Sequence, residues 1–196
     1  MKFVPIPLIA LLTICGWKSR AAVTSYSNSS TFGSVAGARS IITFTEVPLA
    51  TSLTTEYSSL GVTFLEGDDK TESDPTAYLS DGIGLAGGRE GQLTFIKLQF
   101  SSPVNSLGVD FPGALQIDLF EGANSIGSSE DFGFSGPGHF GGVISDVPFD
   151  RAILTDWLAG DVYIDNLYVV PEPSTYALLP LAASLGWIAV RRARAA

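Results

Sequence analysis

Residues 114–121 read "ALQIDLFE". Leu115, Ile117 and Leu119 alternate with Gln116 and Asp118, the period-two pattern of a strand with one face in a core and the other near water. Similar short β-rich segments lie on both sides. Upstream are "IITFTE" from Ile41, "GVTFLE" from Gly61 and "TAYLS" from Thr76, the last closed by Asp81-Gly82. "LTFIKLQF" from Leu93 and "NSLGVDF" from Asn105 flank Ser101-Ser102-Pro103, which reads as a turn. Downstream of Gly122 come a glycine-rich region, "HFGGVIS" from His139, "FDRAILT" from Phe149 and "VYIDNLYVV" from Val162. From Ile41 onward no long stretch has helical period. Eight or nine strands at this spacing predict an all-β fold over residues 41–170, an antiparallel β-sandwich of jelly-roll-like type. No internal repeat is evident, which argues against a propeller or solenoid.

Charge is unevenly placed along the 196 residues. Three basic residues precede Ala21 and three follow Val190, leaving Arg39, Lys70, Arg89, Lys97 and Arg151 between them. All twenty acidic residues lie between Glu46 and Glu172, so the middle carries −15 against −9 for the whole chain. Such a surface repels nucleic acid and suits divalent cations. Cys15 is the only cysteine, so no internal disulfide forms. "LTIC" is a poor lipoprotein pattern because Ile14 stands where a small residue is needed.

Both ends read as addresses. Lys2, the apolar stretch Phe3–Ile14 and the small residues that follow have the layout of a secretory signal peptide, with cleavage expected after Ala21. Residues 22–40, small, polar and Gly/Ser-rich, read as a flexible lead-in. At the other end, Tyr176–Val190 is uncharged; as a helix it would measure about 22 Å against a hydrocarbon core of about 30 Å. Arg191, Arg192 and Arg194 would hold that terminus on the cytoplasmic side, leaving the middle of the chain outside.

Pro171-Glu172-Pro173 with Ser174, the short apolar segment and the cluster Arg191-Arg192-Ala193-Arg194 resemble the PEP-CTERM sorting signal, in that order, over residues 171–196. The resemblance implies an exported protein of a Gram-negative bacterium, handled by an exosortase. It also implies transient residence in the inner membrane through the tail, and association with the cell envelope or extracellular matrix.

In the middle, "ITFTE", "GVTF" and "YIDNLYV" resemble the β-sandwiches of carbohydrate-binding modules and the wider galactose-binding-like group. That resemblance implies a structural calcium shared by Glu46 and Asp165, with Glu46 standing where many relatives carry Asp. Oxygen ligands are plentiful, while one histidine and no usable cysteine exclude the usual zinc sites. A carboxylate inside an apolar strand is costly unless paired, so Asp165 is bound either to calcium or to neighbouring hydrogen-bond donors. "EGDDKTESD" lacks the spacing of a calcium loop and reads as a solvated acidic loop.

No catalytic constellation emerges. His139, the single histidine, lies in a glycine-rich turn, and "GFSGP" lacks the final glycine of a nucleophile elbow. "GIGLAGG" lacks the lysine of a phosphate loop. Phe111, Phe132, Phe134, Phe140, Trp157 and Tyr163 offer flat apolar faces for sugar rings, and Trp157, in an expected loop, is the foremost ligand-contact candidate. The expected function is therefore a non-enzymatic, exported envelope or matrix protein. The alternatives are a module binding extracellular polysaccharide and, behind it, a glycoside-active enzyme of the same fold.

Overall fold

A computed structural model describes residues 21–65, 72–74, 84–90, 93–133, 139–158 and 160–171. The signal-peptide segment before Ala21, most of the acidic loop, Phe134 and the tail from Glu172 lie outside them. The described elements are β1 (Val23–Tyr26), α1 (Ser29–Ala36), β2 (Ser40–Ile42), β3 (Val62–Leu65), β4 (Glu72–Asp74), β5 (Gly84–Ala86) and β6 (Gly88–Glu90). They continue with β7 (Leu93–Phe111), β8 (Gln116–Glu121), β9 (Asn124–Ser128), β10 (His139–Thr155), β11 (Tyr163–Ile164) and β12 (Leu167–Pro171). All pairings are antiparallel. The chain is an all-β antiparallel sandwich.

The sandwich is built from two very long strands that serve both layers. β7 and β10 pair along almost their whole lengths, Phe111 opposite His139 at one extreme and Phe95 opposite Thr155 at the other. Their Phe95–Phe100 and Arg151–Thr155 halves join β8, β9 and β3 in a first layer ordered β9-β8-β10-β7-β3. The other halves join β1, β12 and β2 in a second layer ordered β1-β10-β7-β12-β2. Ser101-Ser102-Pro103 therefore bends one strand where the sequence suggested a turn between two. The same correction applies to "HFGGVIS" and "FDRAILT", which are one strand.

Side-chain alternation shows how the bend works. In β7 the inward residues are Ile96, Leu98 and Phe100 before the bend, then Leu107, Val109 and Phe111 after it. The parity changes from even to odd. In β10 it changes from Val143 to Ala152 and Leu154, across register shifts between Ile144 and Arg151. A one-residue slip turns every side chain over, so the irregularity keeps both apolar faces on one core while the strands turn the corner. Polar side chains close the ladder there: Asn105 donates through Nδ2 to the Ser145 carbonyl at 3.1 Å, and the Val147 N–H donates to Ser145 Oγ at 3.2 Å. Phe149, fully buried, fills the corner edge-on to Phe100 at 5.7 Å between ring centroids. Phe44, after β2, meets Phe64 of β3 at 6.2 Å and ties the two layers across the core.

Residues 22–40 are ordered into β1 and α1, contrary to the flexible lead-in expected there. The cause is local. Asn28 caps the helix, its Oδ1 accepting from the N–H groups of Ser30 and Thr31 at 3.0 and 2.9 Å. The helix then lays Phe32 on the outer side of the second layer. Tyr26, Gly142, Gly108, Tyr168 and Ile41 form one transverse row there, strand by strand. The two glycines leave a shallow floor. A Cβ at Gly142 would lie 2.8 Å from the rings of both Phe140 and Phe32. Phe32 packs against Phe140 at 5.3 Å, and Phe140 against Tyr168 at 5.7 Å.

The segment "VYIDNLYVV" is also not a single strand. It breaks at Asp165-Asn166, with β11 pairing β5 in a small sheet ordered β11-β5-β4 and β12 joining the second layer. Val23 at the start of β1 and Pro171 at the end of β12 both lie at the bend, opposite Ser145 and Val104.

Candidate functional site

The alternate residues of the first layer form a second face, half-buried except at Phe95, which is buried. Strand register fixes its rows. One row runs Thr63, Gln99, Arg151, Phe120, and the next Leu65, Lys97, Ile153, Asp118. A third contains Phe95, Thr155 and Gln116. Their neighbours in sequence, Ile96, Leu98, Ile117, Leu119, Ala152 and Leu154, are fully buried beneath. The strict alternation that makes the strands also delivers these side chains to one surface.

Each cation on this face is braced by an aromatic ring. Arg151 places its guanidinium carbon 4.5 Å from the centroid of Phe120, and Lys97 places Nζ 4.1 Å from that of Phe95. Arg151 Nε is buried and has no hydrogen-bond partner among the described residues, an arrangement that costs about 1–3 kcal/mol for an ordinary buried donor. Gln99 donates from Nε2 to the Asp150 carbonyl at 2.8 Å, which fixes the amide plane. Ser128 donates its hydroxyl to Asp118 Oδ1 at 2.6 Å. The face thus combines the ring of Phe120, donors and a carboxylate; Arg151, Gln99 and Asp118 are held by neighbours on other strands, and Lys97 by Phe95 on its own strand.

Trp157 lies in the loop after β10, as expected. It is 40% exposed, next to exposed Leu158, and its indole N–H donates to the Phe132 carbonyl at 3.0 Å. The ring is anchored at one end with part of its surface open. Phe111, Phe132 and Phe140 are buried packing residues, which removes them from the stacking candidates. Tyr163, the first residue of β11, is half-buried and pairs with Ala86.

Glu46 and Asp165 have different surroundings. Glu46 is exposed and accepts hydrogen bonds from Thr43 Oγ1 at 3.0 Å and Tyr57 OH at 3.1 Å. Burial and the adjacent Glu46 carboxylate push the Tyr57 phenol well above the usual tyrosine range. Asp165 is 2% exposed, and its N–H donates to the Asp110 carbonyl at 2.7 Å. Because β2 and β12 are antiparallel partners, the segments carrying the two acids leave the same end of the second layer. Among the described residues no three His, Cys, Asp or Glu side chains gather as a metal site. A calcium ion held there by Glu46 and Asp165 would draw its remaining oxygens from main-chain carbonyls and water.

Beside Asp165, Asp110 Oδ2 accepts from Asn166 Nδ2 at 2.9 Å and from Tyr168 OH at 2.6 Å. Burial first, then the bond to Asp110, raises the Tyr168 phenol above its ordinary range. The phenol therefore stays protonated and donates to Asp110. His139 stands at the start of β10, its ring 6.1 Å from that of Phe111. The sorting residues Glu172, Pro173, Ser174, Arg191, Arg192 and Arg194 lie outside the described residues, and Pro171 closes β12.

The residues of this face, Phe95 and Phe120 included, were not singled out in the sequence. Lys97 and Gln99 are two residues apart on β7, but Arg151 is far along the chain, and only the register of β7 with β10 brings it beside them.

No family model matches the chain, and no curated protein matches it. Among solved structures it is similar to variants of CBM29-2, a family 29 carbohydrate-binding module studied for its mechanism of ligand recognition. One is 20% identical with a TM-score of 0.42, over 56% of this chain and 81% of that one. Another is 17% identical with a TM-score of 0.45, over 68% of this chain and 91% of that one. The sandwich assignment itself stands on the strand pairing described above.

Proposed function

We propose that this domain is a non-enzymatic module that binds polysaccharide on the outer face of its first layer. The single observation behind this reading is the pair of adjoining rows in which Gln99, Arg151, Lys97 and Asp118 stand beside the half-buried ring of Phe120. Sugars are recognised by flat apolar surface against the ring and by fixed polar groups toward the hydroxyls, and both are present. Full-length protein on a glycan array is expected to bind a restricted set of polysaccharides. Gln99→Ala should weaken that binding about tenfold or more, since it removes donors and an acceptor together. Trp157→Ala reads out whether the loop contributes. Absence of any polysaccharide binding would overturn the proposal, and turnover of a bound polymer would replace it with the glycosidase reading.

We further propose export and sorting through the tail, on the strength of the three-part pattern from Pro171 to Ala196 and the matching charge at Lys2. The mass of the mature protein recovered from the envelope or medium is expected to lack the arginine cluster. An intact carboxyl terminus at Ala196 would count against trimming.

A further inference from the structure

We infer that Asp146 is the receptor for a new amino terminus, the one released when the chain is cut between Ala21 and Ala22. The inference rests on the export reading and adds what removal of the leader does to the fold. The sheet starts at the residue that follows the expected cut. Val23 of β1 stands opposite Ser145 of β10, and one position earlier Ala22 meets Asp146 through both of its main-chain groups. The Ala22 N–H donates to Asp146 Oδ1 at 2.8 Å, and the Asp146 N–H donates to the Ala22 carbonyl at 3.2 Å. The bend makes room for this. The pairing of β10 with β7 skips from Ile144 to Phe149, and Asp146 falls in that gap. Its neighbour Ser145 is engaged elsewhere, the carbonyl by Asn105 and the hydroxyl by the Val147 N–H.

In the uncut chain this carboxylate meets a neutral amide. Hydrolysis of the Ala21–Ala22 bond by a signal peptidase consumes one water. It leaves a carboxylate on Ala21 and an amine on Ala22, which takes up the released proton. An α-amine has an ordinary pKa of about 8, so most of it is ammonium at neutral pH. Without Ala22 N having to travel, a neutral hydrogen bond becomes a charge-assisted one, the stronger kind. The general field favours the same change. With twenty acidic residues against five basic ones between the terminal signals, a new cation at the start of β1 offsets part of the negative excess. β1 is an edge strand of the second layer, paired with β10 alone, and a strand that opens a chain frays unless it is tied down. Removal of the leader thus supplies the tie at the moment that it creates the free end.

The test uses the protein recovered from the envelope or medium. Sequencing of its amino terminus is expected to give Ala22 first. Selective acetylation of that terminus near neutral pH then restores a neutral amide, with its N–H, at the same nitrogen. Acetylation should lower the melting temperature by about 1–4 °C, the range for an exposed ion pair in a domain of this size. In Asp146→Asn, which keeps an acceptor oxygen and loses the charge, acetylation should shift it by less than about 1 °C, because the two changes remove one and the same interaction. A side chain that only accepts a hydrogen bond would respond to Asp146→Asn and not to acetylation of the parent. Sequencing and acetylation of the parent need no variant, so the question is decided even where Asp146→Asn folds poorly. No shift on acetylating the parent, or equal shifts in the two backgrounds, would overturn the inference and leave export standing. A first residue other than Ala22 would do the same. Protein kept inside the cell with residues 1–21 in place would remove the export reading and the inference together.

Discussion

Replacing Phe149 with alanine is expected to cost about 3–5 kcal/mol of folding stability, among the largest single-residue effects in this domain. Phe149 is fully buried at the corner where β10 passes from one layer to the other. Its ring meets Phe100 edge-on, and the register of β10 slips on both sides of it. A void there cannot be closed by a small rotamer change, because the strands on either side belong to different layers and are held by separate ladders. Against a total stability of about 5–15 kcal/mol for a typical domain, such a loss is severe. Urea unfolding monitored by tryptophan fluorescence measures it. Leu158→Ala, at a residue 51% exposed, should change stability by less than about 0.5 kcal/mol. A Phe149→Ala variant within about 1 kcal/mol of the parent would refute the role given to the corner.

Gly142→Val is expected to detach α1 and to lower stability by about 1–3 kcal/mol. The position faces two rings at once, 2.8 Å from an added Cβ, and the floor continues through Gly108 on the neighbouring strand. Valine would push Phe32 and Phe140 off the sheet. An eight-residue helix has little stability of its own and depends on that docking despite its Asn28 cap. Limited proteolysis should then cut between Asn28 and Gly37, with the first layer retaining its ligand binding. Continued protection of that segment in Gly142→Val would show that the glycine floor is dispensable.

What could be read in the sequence, and what could not, follows from the range of the forces involved. "ALQIDLFE" was legible because alternation is a property of neighbours, and β8 spans Gln116–Glu121. The bent β7 and β10 were read as pairs of strands. Ser101-Ser102-Pro103 has the composition of a reversal, and whether a chain turns back or turns a corner is decided by its partner. α1 was hidden because Ser, Thr and Gly are weak helix formers, and its support is the sheet beneath it. Trp157 could be singled out in its loop from flanking residues alone. Arg151 and Gln99 could not, since their common face exists only through cross-strand register.

The start of β1 and the end of β12 both lie at the corner of the second layer, whereas the face proposed to bind polysaccharide belongs to the first. A molecule tethered through whatever follows Pro171 would stand on its corner with that face turned sideways, clear of the attachment point. Tension between a held polymer and the tether would run along β12. Its rungs to β7, from Leu167 to Pro171, would be loaded together in shear rather than peeled one by one.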